Sequence, residues 1–258
     1  MTKRVTLITG ASSGIGAELA RIFALNGFST VLVARREDRL KQLAEEIAAA
    51  GHPRPAILVC DLSVPGACDH IEASLKAMDA EVDTVVNNAG YGLFGEAVEL
   101  DRAQQLAMVD LNVRVLTDLT LRFAGNLVRY RGGILNVASI ASFLPGPRMA
   151  VYYATKAYVL SFTEAMRGEL GPKGVRVTAL CPGTVPTEFQ GVAGFKPGLD
   201  SAVLNLSAAA VARAGYRGLI SNKRLVLPGV GVRMIPFMLR FAPRSLVLAS
   251  VARVQQKR

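Results

Sequence analysis

The sequence has no tryptophan, only two histidines and only three cysteines among 258 residues. His52 and His70 have no companions at metal-ligand spacing, so a metal site is not expected. Cys60, Cys68 and Cys181 form neither a metal-type nor a redox-type pair, and their odd number argues against a disulfide framework. Reduced thiols in a cytoplasmic setting are the simpler expectation. Long uninterrupted apolar runs are also missing. The most apolar stretch near the C-terminus is broken by Pro228, Arg233, Pro236 and Arg240, which excludes a spanning helix. Met1 to Ile8 is too short before its turn to be a secretory signal and reads as a first strand.

The most localised absence is that of acid. Asp200 is the last acidic residue, and ten Lys or Arg follow it with no Asp or Glu. The first 200 residues carry twenty charges of each sign, so the whole net charge of +10 belongs to the last fifth of the chain. Scarce aromatic side chains argue against a stacking surface for nucleic acid. With 51% hydrophobic residues and 24 glycines the chain suits one large folded α/β domain rather than a disordered segment.

Strands alternate with helices along its length. Apolar strands are expected at Val5–Thr9, Ser29–Ala34, Ala56–Cys60, Val82–Val86, up to Ala138, at Val175–Leu180 and at Leu225–Pro228. Between them fall helical runs at Ala17–Leu25, Glu37–Ala50, a helix introduced by Ser63 and Pro65, a long helix over 101–127, Tyr152–Leu170, and a Ser207-capped helix to Ser221. That rhythm predicts a single Rossmann-type, doubly wound domain with a parallel seven-stranded sheet and helices on both faces. The catalytic domain is expected over 1–231, including an irregular glycine-containing flap over about 188–205. Residues 232–258 form a basic, apolar extension.

The chemistry-bearing residues fall at the carboxyl ends of the strands. Gly10-Ala11-Ser12-Ser13-Gly14-Ile15-Gly16 joins the first strand to the first helix. Its glycines admit a phosphate to the helix N-terminus, and its serines add donors. The second strand ends at Ala34, which offers no carboxylate for ribose hydroxyls, whereas Arg35 and Arg36 suit a 2′-phosphate. Asp61 either hydrogen-bonds an adenine amine or caps the turn before the next helix. Asn87 and Asn88 are placed to lock strand ends together, while Ala89 and Gly90 let a cofactor pass close over the sheet. Tyr152 and Lys156 lie one helical turn apart, where a cation would lower the phenol's pKa. Ser139 offers a hydroxyl beside them, and such a trio can move a proton on a carbonyl or alcohol.

Together, Thr9 to Gly16, Asn87 to Gly90, Ser139 with Tyr152-x-x-x-Lys156, and the Pro182-Gly183 turn with Thr187 resemble the short-chain dehydrogenase/reductase family over about residues 4–190. The resemblance implies NADP(H) as cofactor, Tyr152 as general acid/base and Ser139 as the group that polarises the carbonyl. Lys156 would hold the nicotinamide ribose, and Asn112 would order a water linking Lys156 to solvent. Leu62, Pro182, Gly183, Val185 and Thr187 join Gly10, Ser12, Ser13, Gly14, Ile15, Gly16, Arg35, Arg36, Asp61, Asn88, Ala89 and Gly90 around the cofactor. A carbonyl or secondary alcohol substrate and a homodimer or homotetramer are implied too. A non-catalytic NADP(H)-binding or scaffolding protein is the alternative. The C-terminal extension is expected either to dock on an anionic membrane at its inner face or to pack on the domain or a partner subunit.

Overall fold

The computed structural model describes residues 2–194 and 206–256. Seven parallel strands are β1 (Lys3–Thr9), β2 (Thr30–Ala34), β3 (Ala56–Val59), β4 (Ala80–Asn87), β5 (Gly133–Val137), β6 (Arg176–Leu180) and β7 (Leu225–Val226). They lie in the order β3-β2-β1-β4-β5-β6-β7. The order reverses beside β1, and a crevice opens there between the carboxyl ends of β1 and β4. The doubly wound architecture follows from strands that are apolar on both faces. Along β1, Leu7 points to one helical layer and Ile8 to the other, and both are fully buried.

On one face pack α1 (Gly14–Leu25), α2 (Glu37–Ala49) and α9 (Ala208–Ile220), which contribute Leu19, Phe23, Leu43, Val211 and Leu219 to the core. Phe23 meets Phe28 and Tyr216 edge-on, with ring centroids 5.3 and 5.1 Å away. The other face is covered by α3 (Ala67–Ala77), α5 (Leu116–Arg122), α6 (Ala124–Arg129) and α7 (Ala150–Leu170), through Ile71, Leu119, Leu127 and Met166. Each such fully buried side chain contributes about 1.5–3 kcal/mol. Shorter helices are α4 (Arg102–Val109) before α5, and α8 (Phe189–Ala193) after β6.

Two elements differ from the sequence expectation. The long helix over 101–127 is divided. After α4, whose Asp101 caps the Gln104 amide at 2.7 Å, Asp110–Val115 forms a π-turn; a further break at Phe123 separates α5 from α6. Periodicity does not reveal this, because a π-turn changes the hydrogen-bond pattern without a proline or glycine to mark it. Beyond β7, helix α10 (Val230–Leu239) continues through Pro236, and α11 (Arg244–Gln256) follows. The sequence reading assigns no helix to 230–239; the structure forms one there, with Pro236 inside it at the loss of one backbone donor. The expected flap begins with α8, while its residues 195–205 lie outside the described part.

Candidate active site

A cavity of about 900 Å³ runs along the crevice. Every residue singled out for cofactor or catalysis lines it except Gly16 and Asn112, which lie behind its wall. At one end, the turn after β1 delivers the chain to the N-terminus of α1. Gly14 has φ +56, and a Cβ on Gly16 would come within 2.3 Å of the Gly10 carbonyl oxygen, so neither position tolerates a side chain. Ser13 stands at the N-cap, yet its side chain does not cap the helix. The first-turn amides therefore remain available to an anion, strengthened by the helix dipole.

The turn is held by Thr9, a residue the site prediction did not single out. Its hydroxyl donates to the Val86 carbonyl at 3.2 Å and accepts from the Asn88 and Ala89 amides at 3.0 and 3.1 Å. Asn88 Nδ2 in turn donates to the Thr9 and Gly10 carbonyls. Asn87 ties β4 to Asn136 of β5 at 2.9 Å and to Thr120 of α5 at 3.0 Å. These bonds join the strand ends that form the crevice.

Arg36 turns its guanidinium back over the glycine turn, donating to Ser12 Oγ at 3.0 Å and Ser13 Oγ at 2.8 Å. Arg35 points outward, 3.8 Å from Asp61. Asp61 accepts from the Ser63 amide and hydroxyl at 2.9 and 2.5 Å; these bonds hold its carboxyl below the usual range, with the Arg35 charge adding to the effect. The turn-capping alternative is thus realised, with Asp61 still lining the cavity. Free amides, a serine–arginine cluster and no carboxylate at Ala34 fit the NADP(H) that the sequence implies.

At the other end stand the residues of β5 and α7. Ser139 follows β5 and accepts from the Ala141 amide at 3.1 Å. Tyr152 packs against Phe189 of α8 and Tyr153, with centroids 5.4 and 6.1 Å apart. Lys156, the cation expected to lower the phenol's pKa, is buried beside Tyr152. Its Nζ donates to the Val137 carbonyl at 2.8 Å and lies 5.9 Å from the centre of the Tyr152 ring. Burial pushes the Tyr152 phenol up, opposed by the Ser139 hydroxyl, and burial pulls the Lys156 amine down to about 8.

Asn112 also does something the sequence did not predict. The π-turn swings its amide inward, where it accepts from the Tyr91 amide at 3.1 Å and donates to the Tyr91 carbonyl at 2.9 Å and Thr155 Oγ1 at 3.1 Å. It clamps the segment after β4 to α7, with Gly90 the spacer between its Oδ1 and the Lys156 amine. The cavity mouth is finished by Leu144 and Met149 together with Ile235 of α10 and Val251 and Val254 of α11. Gln255 of α11 is fully buried; its Nε2 donates to the Tyr153 hydroxyl at 3.0 Å, and its carbonyl accepts from Arg148 at 3.3 Å. No motif marks Gln255, since the contact spans 102 residues and depends on how α11 folds back.

Residues 4–194 match the family model described as short chain dehydrogenase. The chain is 39% identical over 188 residues to sulfoacetaldehyde reductase 2 of Chromohalobacter salexigens, covering 72% of this chain and 74% of that protein. Its fold is similar to a short-chain dehydrogenase from Sphingobium yanoikuyae in complex with NADPH, with TM-score 0.82, 32% identity and 95% and 94% of the two chains covered. It is also similar to a bulky-bulky ketone specific alcohol dehydrogenase from Comamonas testosteroni, with TM-score 0.79, 28% identity and the same coverages.

Proposed function

Since the chain belongs to the short-chain dehydrogenase/reductase family, we propose that it is an NADP(H)-dependent oxidoreductase for a bulky, apolar carbonyl or secondary alcohol. One observation carries this reading: a single cavity joins a phosphate cradle containing Arg36 to Tyr152 and Ser139, and ends in an apolar mouth. Bound NADP(H) supplies the hydride that the side chains cannot. The free amides of α1 hold its pyrophosphate, and Arg36 with Ser12 and Ser13 holds the 2′-phosphate. Ser139 orients the substrate oxygen, and Tyr152 gives or takes the proton there. Lys156 holds the nicotinamide ribose from behind Tyr152, and Asn112 keeps α7 and the Tyr91 segment in register.

The substrate class rests on Leu93, Leu144, Met149, Ile235, Val251 and Val254 around the cavity. The description of the Comamonas testosteroni relative as specific for bulky-bulky ketones points the same way. The surface beside this mouth completes the reading. Met234, Phe237, Met238 and Phe241 are 49%, 56%, 62% and 77% exposed, among Arg233, Arg240 and Arg244. We read α10 and α11 as docking on an anionic membrane surface, from which an apolar substrate reaches the mouth. An isologous contact through this acid-free face would oppose arginine to arginine, which disfavours a second copy as its occupant.

The test is Tyr152→Phe assayed with NADPH and a ketone panel running from small to bulky. Turnover is expected to fall by at least 10²-fold, while NADPH affinity measured by fluorescence stays within about twofold. Undiminished turnover in the variant, or none in the parent with any panel member, counts against the mechanism.

A further inference from the structure

The chain leaving β6 crosses the glycine turn before it enters α8. A Cβ placed on Gly14 would lie 3.1 Å from the Thr187 methyl carbon, so this strap rests directly on the start of α1. The next residue, Glu188, reaches across the turn to the far wall. Its Oε2 is 2.7 Å from Arg36 Nη1, and the same guanidinium donates through Nη2 to Ser12 and Ser13. Bonds from Arg36 and then Ser13 hold the Glu188 carboxyl below its usual range, so it is anionic at neutral pH. Glu188 therefore already occupies the Arg36–Ser13 seat, and Ser12 binds the same guanidinium.

We propose that Glu188 is an internal stand-in for the 2′-phosphate of the cofactor, occupying the Arg36–Ser13 seat and leaving it when that phosphate binds. The inference rests on the NADP(H) reading above and adds a specificity-determining residue to it. A carboxylate and a phosphate compete for the same planar donor face of arginine. Two anions crowded on one guanidinium repel, so the phosphate binds more weakly while Glu188 stays in place. Departure is cheap, since the Glu188 and Arg36 side chains are 50% and 44% exposed and the carboxylate can turn into water. Glu188 directly precedes α8, whose Phe189 packs on Tyr152. Seating the phosphate thus releases the strap that borders the catalytic tyrosine, linking cofactor identity to the freedom of α8.

The test uses the full chain without cofactor, as wild type, Glu188→Gln and Glu188→Ala, titrated calorimetrically with NADPH, NADH, 2′,5′-ADP and 5′-ADP. Removing the competing charge is expected to tighten NADPH and 2′,5′-ADP about fivefold at low salt, the ceiling for an exposed ion pair, and less at high salt. NADH and 5′-ADP, which lack the 2′-phosphate, should bind all three proteins equally. Hydrogen exchange gives a second readout: 2′,5′-ADP should speed exchange in α8 of the wild type and leave the variants, already fast, unchanged. Equal or weaker NADPH binding by both variants, or α8 exchange in the wild type that 2′,5′-ADP does not speed, overturns the stand-in. A wild type that binds NADH more tightly than NADPH overturns the cofactor reading, and the proposal with it, and is told apart by the wild-type titrations alone.

Discussion

Lys156 shows what the spacing of a single side chain reveals and what it leaves out. Four residues from Tyr152, it reads as a cation for the phenol; in the structure it is a buried amine held by the Val137 carbonyl, with its pKa drawn down to about 8. The spacing was legible because helix geometry fixes it. The partner was not, because Val137 lies 19 residues away and meets Lys156 only when β5 and α7 pack. The sign of the pH effect follows. Below about pH 8 the amine is charged in both folded and unfolded chains, and the fold bears the full burial cost. From there to the ordinary lysine value of 10.5 the folded chain sheds its proton first, so stability from this group rises with pH. Thermal unfolding of cofactor-free protein between pH 7 and 10 should therefore show a gain in the wild type, relative to Lys156→Met, as pH increases. Parallel pH curves for the two proteins would contradict the assignment.

At the scale of elements, the strands and most helices were readable, since apolar runs punctuated by glycine and capping residues leave few alternatives. The order β3-β2-β1-β4-β5-β6-β7 then follows from short right-handed crossovers. What escaped were elements whose shape is set by a distant partner. The π-turn at Asp110–Val115 exists where Asn112 reaches Tyr91 and Thr155, and nothing in residues 101–127 announces it. Asn112→Ala should thus strand the Tyr91 backbone groups and lower stability by about 1–3 kcal/mol, the cost of buried groups left unpaired. Urea denaturation measures this. A variant as stable as the parent would mean that the clamp carries no energy.

For the molecule as a whole, the charge asymmetry readable in the composition becomes a surface. Among the described residues no helix is long and apolar enough to cross a membrane. The exposed Phe237 and Phe241 stack edge-on at 5.5 Å beside arginines with no acid on their own segment. Cosedimentation should retain the protein on vesicles containing phosphatidylserine but not on neutral ones. The double variant Phe237→Ser/Phe241→Ser should lose that retention while its activity on small soluble ketones is unchanged. Retention that survives this variant would assign the patch to another contact.

The matched segment 4–194 carries the cradle and the proton-transfer residues, whereas Ile235, Val251 and Val254 of the pocket mouth come from the chain beyond β7. Inheritance can therefore treat the two as separable parts. One genetic crossover in the stretch between α8 and α10 would replace the α10–α11 side of the mouth at a stroke and leave the reaction chemistry as it was. Successive point changes inside 4–194 would have to alter the substrate while sparing Tyr152, Ser139 and Arg36.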